Sequence, residues 1–179
     1  MTHNHIQNQY RNTVSYRLGC FNWKLEYIEI PLNAISLENR RLDSEPFRSY
    51  ILATGNFAIS AQFFKELNYY DDGLRIWGGE QFELSFKAWM CGGEILRVPC
   101  SRIGQIQKLL SNAEPTAKEH LINYNRIVDV WWSSDHQKEF RQLEPDWIHY
   151  ESKDILIQKY FREKCHSFEW FLQRVVGQD

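Results

Sequence analysis

Residues 69–100, YYDDGLRIWGGEQFELSFKAWMCGGEILRVPC, decide how the rest of the chain is read. At their centre stands Ile76-Trp77-Gly78-Gly79-Glu80. A large aromatic beside two glycines lets the backbone approach a flat ligand while the ring stacks on it, because glycine adopts backbone angles closed to other residues. The acid that follows can accept hydrogen bonds from hydroxyls. From Gln81 the pattern changes: Phe82, Phe86 and Trp89 or Met90 recur at three- and four-residue steps, one face of a helix. Glu80 and Glu83 fall in its first turn, where the helix dipole favours anions. Cys91-Gly92-Gly93 is a helix stop, and residues 94–98 read as a strand ended by Pro99. A plainer reading of the same residues is a buried Trp before a helix with a glycine hinge.

Working outward, residues 1–12 are polar, and His3 and His5 read as solvent-exposed tail rather than metal ligands. Phe21, Trp23, Leu25 and Tyr27 alternate, predicting one strand with a buried face. Residues 31–49 form a charged loop with room for one helical turn. Residues 50–60, YILATGNFAIS, read as a strand in which Gly55 marks close approach of a ligand or another backbone. A short amphipathic helix is expected over 61–67. Tyr70-Asp71-Asp72-Gly73 is turn chemistry, solvated rather than metal-binding. Residues 114–120 lead into a helix over 121–132, and 144–149 form a turn. Helical spacing returns over 154–164 and 168–176. Ser133-Ser134-Asp135-His136 gathers Ser, Asp and His, but triad partners meet through a fold rather than by adjacency.

Composition excludes several classes. With 179 residues the chain is one domain by length, able to bury roughly 70% of its unfolded surface. Aromatics at 15%, with seven Trp, argue against disorder. A net charge of -2 builds no field for nucleic acid. No run reaches the ~20 apolar residues of a membrane span, and residues 1–11 lack the apolar core of a signal peptide. Four cysteines read as a disulfide set only in an oxidising compartment.

Taken together, Trp77-Gly78-Gly79-Glu80, the helix from Phe82 to Trp89, Cys91-Gly92-Gly93 and Val98-Pro99-Cys100-Ser101-Arg102-Ile103-Gly104 resemble the polypeptide N-acetylgalactosaminyltransferases, which start mucin-type O-glycosylation. Gly19-Cys20-Phe21-Asn22-Trp23-Lys24-Leu25 upstream, and Asn125-Arg126, Val130-Trp131 and the run from Cys165 to Leu172 downstream, match in order. The resemblance covers residues 16–176. It implies an α/β fold like the C-terminal half of a GT-A glycosyltransferase domain: a mixed sheet with flanking helices, then a helical tail over 114–179. Residues 1–15 are a tail and 16–179 the catalytic subdomain region. The N-terminal half and the ricin-type lectin domain of the family have no counterpart in the sequence.

The family activity is transfer of N-acetylgalactosamine from UDP-GalNAc to Ser or Thr of a polypeptide, in the Golgi lumen, with manganese as Lewis acid on the diphosphate. In the family, two metal ligands come from an Asp-x-His motif and the third from a His after the Ser-Arg-Val-Gly strand. No Asp-x-His occurs here, and the third position is Gln105. The family's loop that closes over the donor has its Arg position at Lys108, which lacks the bidentate fork, and its Tyr position at Ala113. The family's two adjacent glycines near the donor sugar become Thr54-Gly55-Asn56. The resemblance therefore implies no bound cofactor and no transferase activity for this chain. Its substrate-side residues are Trp77, Gly78, Gly79, Glu80, Gly55 and Lys108, with Glu80 the candidate for a catalytic role. The alternatives are a non-catalytic peptide- or sugar-binding module, or a truncated product. Restoring a histidine at Gln105 alone is not expected to rebuild a metal site. The resemblance also implies a Cys91–Cys165 disulfide, leaves Cys100 unpaired, and exposes a sheet edge through which copies could associate.

Overall fold

The computed structural model describes residues 16–33, 37–38, 40–53, 56–101, 103, 117–144 and 155–178. Gly55, Gln105, Lys108 and Ala113 lie outside them, as does all but the first residue of the turn expected over 144–149.

The class is α/β. An antiparallel hairpin, β1 (Arg17–Phe21) and β2 (Tyr27–Pro31), pairs Gly19 with Glu29 and Phe21 with Tyr27. A second pair joins β3 (Phe47–Arg48) to β4 (Leu96–Arg97). Among the described residues the expected mixed sheet is thus represented by two antiparallel pairs. Elements described in full include the helices α1 (Ala61–Glu66), α2 (Glu80–Met90), α3 (Ala117–Trp131), α4 (Ser134–Leu143), α5 (Ile155–Arg162) and α6 (Phe168–Arg174), with a 3-10 turn at Val176–Gln178.

Helix α2 is the axis of the core and packs on α3 and α6. Every residue from Phe82 to Met90 is buried, so the single apolar face expected from spacing is a helix enclosed all round. Glu83 and Lys87 make that possible by pairing inside, Nζ to Oε1 at 2.5 Å. The contact lies off the direction of a hydrogen bond and acts as a charge pair. Lys87 Nζ donates instead to the carbonyl of Tyr69 at 2.8 Å. The helix stops at Cys91, where the Gly93 N–H bonds the Ala88 carbonyl at 2.7 Å. A Cys91–Cys165 disulfide then ties it to the segment before α6 across 74 residues of sequence. In a chain-entropy account that closure is worth roughly 4 kcal/mol. Cys100 is unpaired and exposed, and Cys20 is unpaired and buried.

Two expected strands are corrected. The alternation from Phe21 to Tyr27 is a hairpin turn: Asn22 Oδ1 accepts the N–H groups of Lys24 and Glu26, both at 3.0 Å, and Leu25 takes φ 58°. Both faces of the strand before it are buried from Leu18 to Phe21. The run 50–60 forms no strand among its described residues. Its backbone donors are used otherwise: Tyr50 and Ile51 both point at the Gly19 carbonyl, at 3.1 and 3.0 Å, and Leu52 donates to Ser85 Oγ at 2.9 Å. The strand expected over 94–98 shortens to Leu96–Arg97.

Candidate functional site

The site is built where the loop 71–79 enters α2. Trp77 is 56% exposed and Ile76 76% exposed, so the buried-Trp reading fails. Gly78 and Gly79 follow at φ 101° and 96°, left-handed angles that disfavour side chains. Space forbids a side chain as well. A Cβ at Gly78 would lie 2.9 Å from His120 Nδ1, and one at Gly79 2.7 Å from Ile127 Cδ1. The two glycines therefore let the loop lie flat against α3 while Trp77 stays outside. Gly79 is also the N-cap of α2, and with no side chain it offers no cap.

Glu80 instead braces the turn before the helix. Its Oε2 accepts the Gly78 N–H at 2.8 Å, folding the carboxylate back over the glycine turn. This hydrogen bond sits where a ligand hydroxyl was expected to be the partner. Glu80 is half-buried and close to two phenols. Burial raises the Tyr124 hydroxyl above its usual range, and the Glu80 and Glu26 charges add to it. Tyr70 is raised likewise by burial, then by Glu83 and Glu80. Both phenols thus stay protonated and can donate hydrogen bonds at neutral pH.

Trp77 does not stand alone. The His120 ring meets its edge at a centroid distance of 5.1 Å, and His120 in turn approaches Tyr124 at 6.3 Å. Phe82 closes the row beneath, 5.8 Å from Tyr124. Sequence reading missed His120, assigning it to the approach of a helix rather than to the site. Its only signal was helical phase: His120, Tyr124 and Ile127 share one face of α3.

Asp71 corrects the solvated-turn expectation. Its Oδ1 accepts the Gly73 N–H at 2.9 Å, the predicted turn chemistry. The carboxylate is nonetheless buried and gripped by Arg126 through Nε at 2.6 Å and a second nitrogen at 2.7 Å. Asp72 stays exposed. Burial also pushes the Glu83 carboxyl up to about 7, against the pull of Lys87.

Neither secondary catalytic reading survives. Ser133 Oγ lies 2.7 Å from His136 Nδ1. Asp135 pairs with Lys138 at 2.9 Å, which holds its carboxyl low, and makes no hydrogen bond to the imidazole among the described residues. His136 stacks on Trp23 at 4.9 Å, closing the hairpin turn onto α4. As for a metal, no three His, Cys, Asp or Glu side chains gather among the described residues.

The geometry has counterparts. A family model described as the N-terminal domain of galactosyltransferase matches residues 40–111. Human N-acetylgalactosaminyltransferase 7 is 40% identical over 90% of this chain and 26% of its own length. Drosophila melanogaster N-acetylgalactosaminyltransferase 6 is 42% identical over 96% of this chain and 26% of its length. Human polypeptide N-acetylgalactosaminyltransferase 10 is 39% identical over 88% and 26%. A solved structure of GalNAc-T7 with UDP, GalNAc and Mn2+ superposes with a TM-score of 0.79 at 40% identity, covering 90% of this chain and 30% of that one. The chain spans about a quarter of the length of the curated relatives it matches. Across nine-tenths of its length, in sequence and in fold, the chain is similar to the polypeptide N-acetylgalactosaminyltransferases.

Proposed function

We propose that this chain supplies the acceptor side of a GalNAc-transferase-type fold, and that as a 179-residue unit it binds ligand without transferring sugar. One observation carries the reading: an exposed Trp77 beside two left-handed glycines, at the mouth of a helix whose own residues are buried. The ring and His120 offer an apolar, aromatic ledge to the flat face of a pyranose or to a peptide. Tyr124 and Tyr70 supply neutral hydroxyls, and Glu80 a carboxylate, for the polar rim.

The residue at the family's third metal position supports the absence of transfer. Gln105 stands where the family places an imidazole. A Gln carbonyl is a weak substitute for imidazole on manganese. The Cys91–Cys165 bridge fits an oxidising compartment, which agrees with a Golgi-type lumen.

The test has two parts. The chain is incubated with UDP-GalNAc, manganese and a Ser/Thr-rich peptide, and the peptide is weighed by mass spectrometry. No mass increment is expected, and sugar on the peptide overturns the claim of inactivity. The same peptide, and separately GalNAc, is then titrated by calorimetry into the native chain and the Trp77→Ala variant. Binding that weakens about tenfold in the variant, on the order of 1.4 kcal/mol, is expected. Equal binding by both proteins, or none by either, removes Trp77 as a binding surface.

A further inference from the structure

The middle of the loop carrying Trp77 is held by one buried amide. Asn123, on α3, is fully buried. Its Oδ1 accepts the Arg75 N–H at 2.7 Å. Its Nδ2 donates to the carbonyl of Arg75 at 2.8 Å and to that of Gly78 at 2.7 Å, with the Trp77 carbonyl at 3.5 Å. All of these partners are main-chain groups on either side of Ile76 and Trp77. A side-chain amide both donates and accepts, which this set of partners demands.

The conformation so held is an unfavourable one. Ile76 has φ 40°. A β-branched residue in the left-handed region is an outlier and persists only where its surroundings over-determine it. Ile76 is itself mostly exposed, so packing of its own side chain does not supply the restraint. The restraint comes from α3. Three residues beyond Asn123, Arg126 fastens the start of the same loop through Asp71.

We propose that Asn123 is a positioning residue: it fixes the strained turn at Ile76 and thereby keeps Trp77 turned outward. Presentation of the aromatic ledge is then governed from the buried face of α3, 45 to 48 residues away in sequence. The functional weight of this latch rests on the reading of Trp77 as a binding surface, but the latch itself is testable without any ligand.

Amide exchange on the native chain is the first measurement. The Arg75 N–H sits in an exposed loop residue, yet the latch should slow its exchange on the order of 100-fold against an open loop. Exchange at the open-loop rate overturns the proposal. The second measurement uses Asn123→Asp, which preserves volume but sets a carboxylate against the carbonyls of Arg75 and Gly78. The Trp77 signal is isolated as the difference from a matching Trp77→Phe protein. Its acrylamide quenching should change about twofold when the loop opens. It should return toward the native value as the pH falls toward about 5, because a buried carboxyl reprotonates early and can donate again. Asn125→Asp is the control. Asn125 is also buried on α3, but its amide bonds the Leu121 carbonyl of its own helix at 2.7 Å. That variant should lose stability and leave the Trp77 signal unmoved. Equal effects of the two variants, or no change in Asn123→Asp, overturn the proposal. A Trp77 signal that responds as expected in a protein that binds no peptide or GalNAc supports the latch and refutes the binding function alone.

Discussion

On one flank of α2, Phe86 lies within 5.8 Å of the rings of Phe21, Phe168 and Phe171, and Phe168 stacks on Trp132 at 5.1 Å. On another flank, Leu84 and Ala88 face a cavity of about 700 Å³ whose rim holds Phe57, Leu96, Val98 and Ile103, all exposed. The first flank is a finished core. The second has apolar lining but nothing dense laid over it among the described residues, and its strands are two residues long. Among the described residues the densest aromatic packing lies where the hairpin, α2, α4 and α6 meet. The exposed latch loop hangs from the dense side through α3, which is why a strained turn can be maintained there.

The comparison breaks most visibly at Phe86. Phe86→Ala removes a ring from a packed aromatic cluster and should cost about 3–5 kcal/mol in urea unfolding, the range for a buried Phe that leaves a cavity. A loss near 1 kcal/mol would mean that the cluster relaxes and is no denser than the other flank.

Much of this architecture was legible. The helix starting at Glu80, its stop at Cys91 and the short helix over 61–66 all follow from spacing and caps. Trp77, Gly78, Gly79 and Glu80 stood out as a unit because a glycine pair beside an aromatic leaves a local signature, while the exposure of the ring was not legible. The failures have a common cause in groups that meet from afar. Alternation across Phe21, Trp23, Leu25 and Tyr27 looks continuous, yet the Asn22 side chain turns the backbone between them. Residues 50–53 look like a strand until Ser85 and the Gly19 carbonyl take their donors. The burial of Glu83 and Lys87 on α2 was not legible, because i,i+4 charges can pair inside a core as well as on a surface. Arg126 stood out only as part of the family match, and Asn123 not at all, since their partners lie 45 to 55 residues upstream.

A smaller effect sharpens the electrostatics of the dense flank. Glu83 is buried among Lys87, Asp71, Arg126 and the Tyr70 ring. Burial raises its folded pKa from 4.5 to about 7. A raised pKa means that the folded state binds the proton more tightly than the unfolded chain. The associated stability is full below pH 4.5 and is lost as the pH rises through about 7. Melting temperatures from pH 5 to 8 should therefore fall more steeply for the native chain than for Glu83→Gln, which cannot titrate. Parallel profiles would show that Lys87 keeps Glu83 ionised throughout and that the two form a permanent ion pair.

The smallest stability effect belongs to the open flank, and there the expected change is in association. Leu96 is 49% exposed and Val98 40% exposed, beside a two-residue strand with little of its backbone paired. Replacing Leu96 by Ser removes apolar surface that already faces solvent, so the change in unfolding free energy should stay within about 0.5 kcal/mol. The same replacement breaks up a contiguous apolar rim, the kind of patch through which soluble chains adhere. Light scattering after size exclusion should show the native chain forming oligomers at raised concentration and the Leu96→Ser, Val98→Ser protein shifting toward monomer. The two readouts pull the flanks apart. If the double variant loses as much stability as Phe86→Ala, the open flank is a true core. If the native chain runs as a monomer at every concentration, the rim is too shallow or too polar to join two copies, with Glu94 and Arg97 at its edge as the reason.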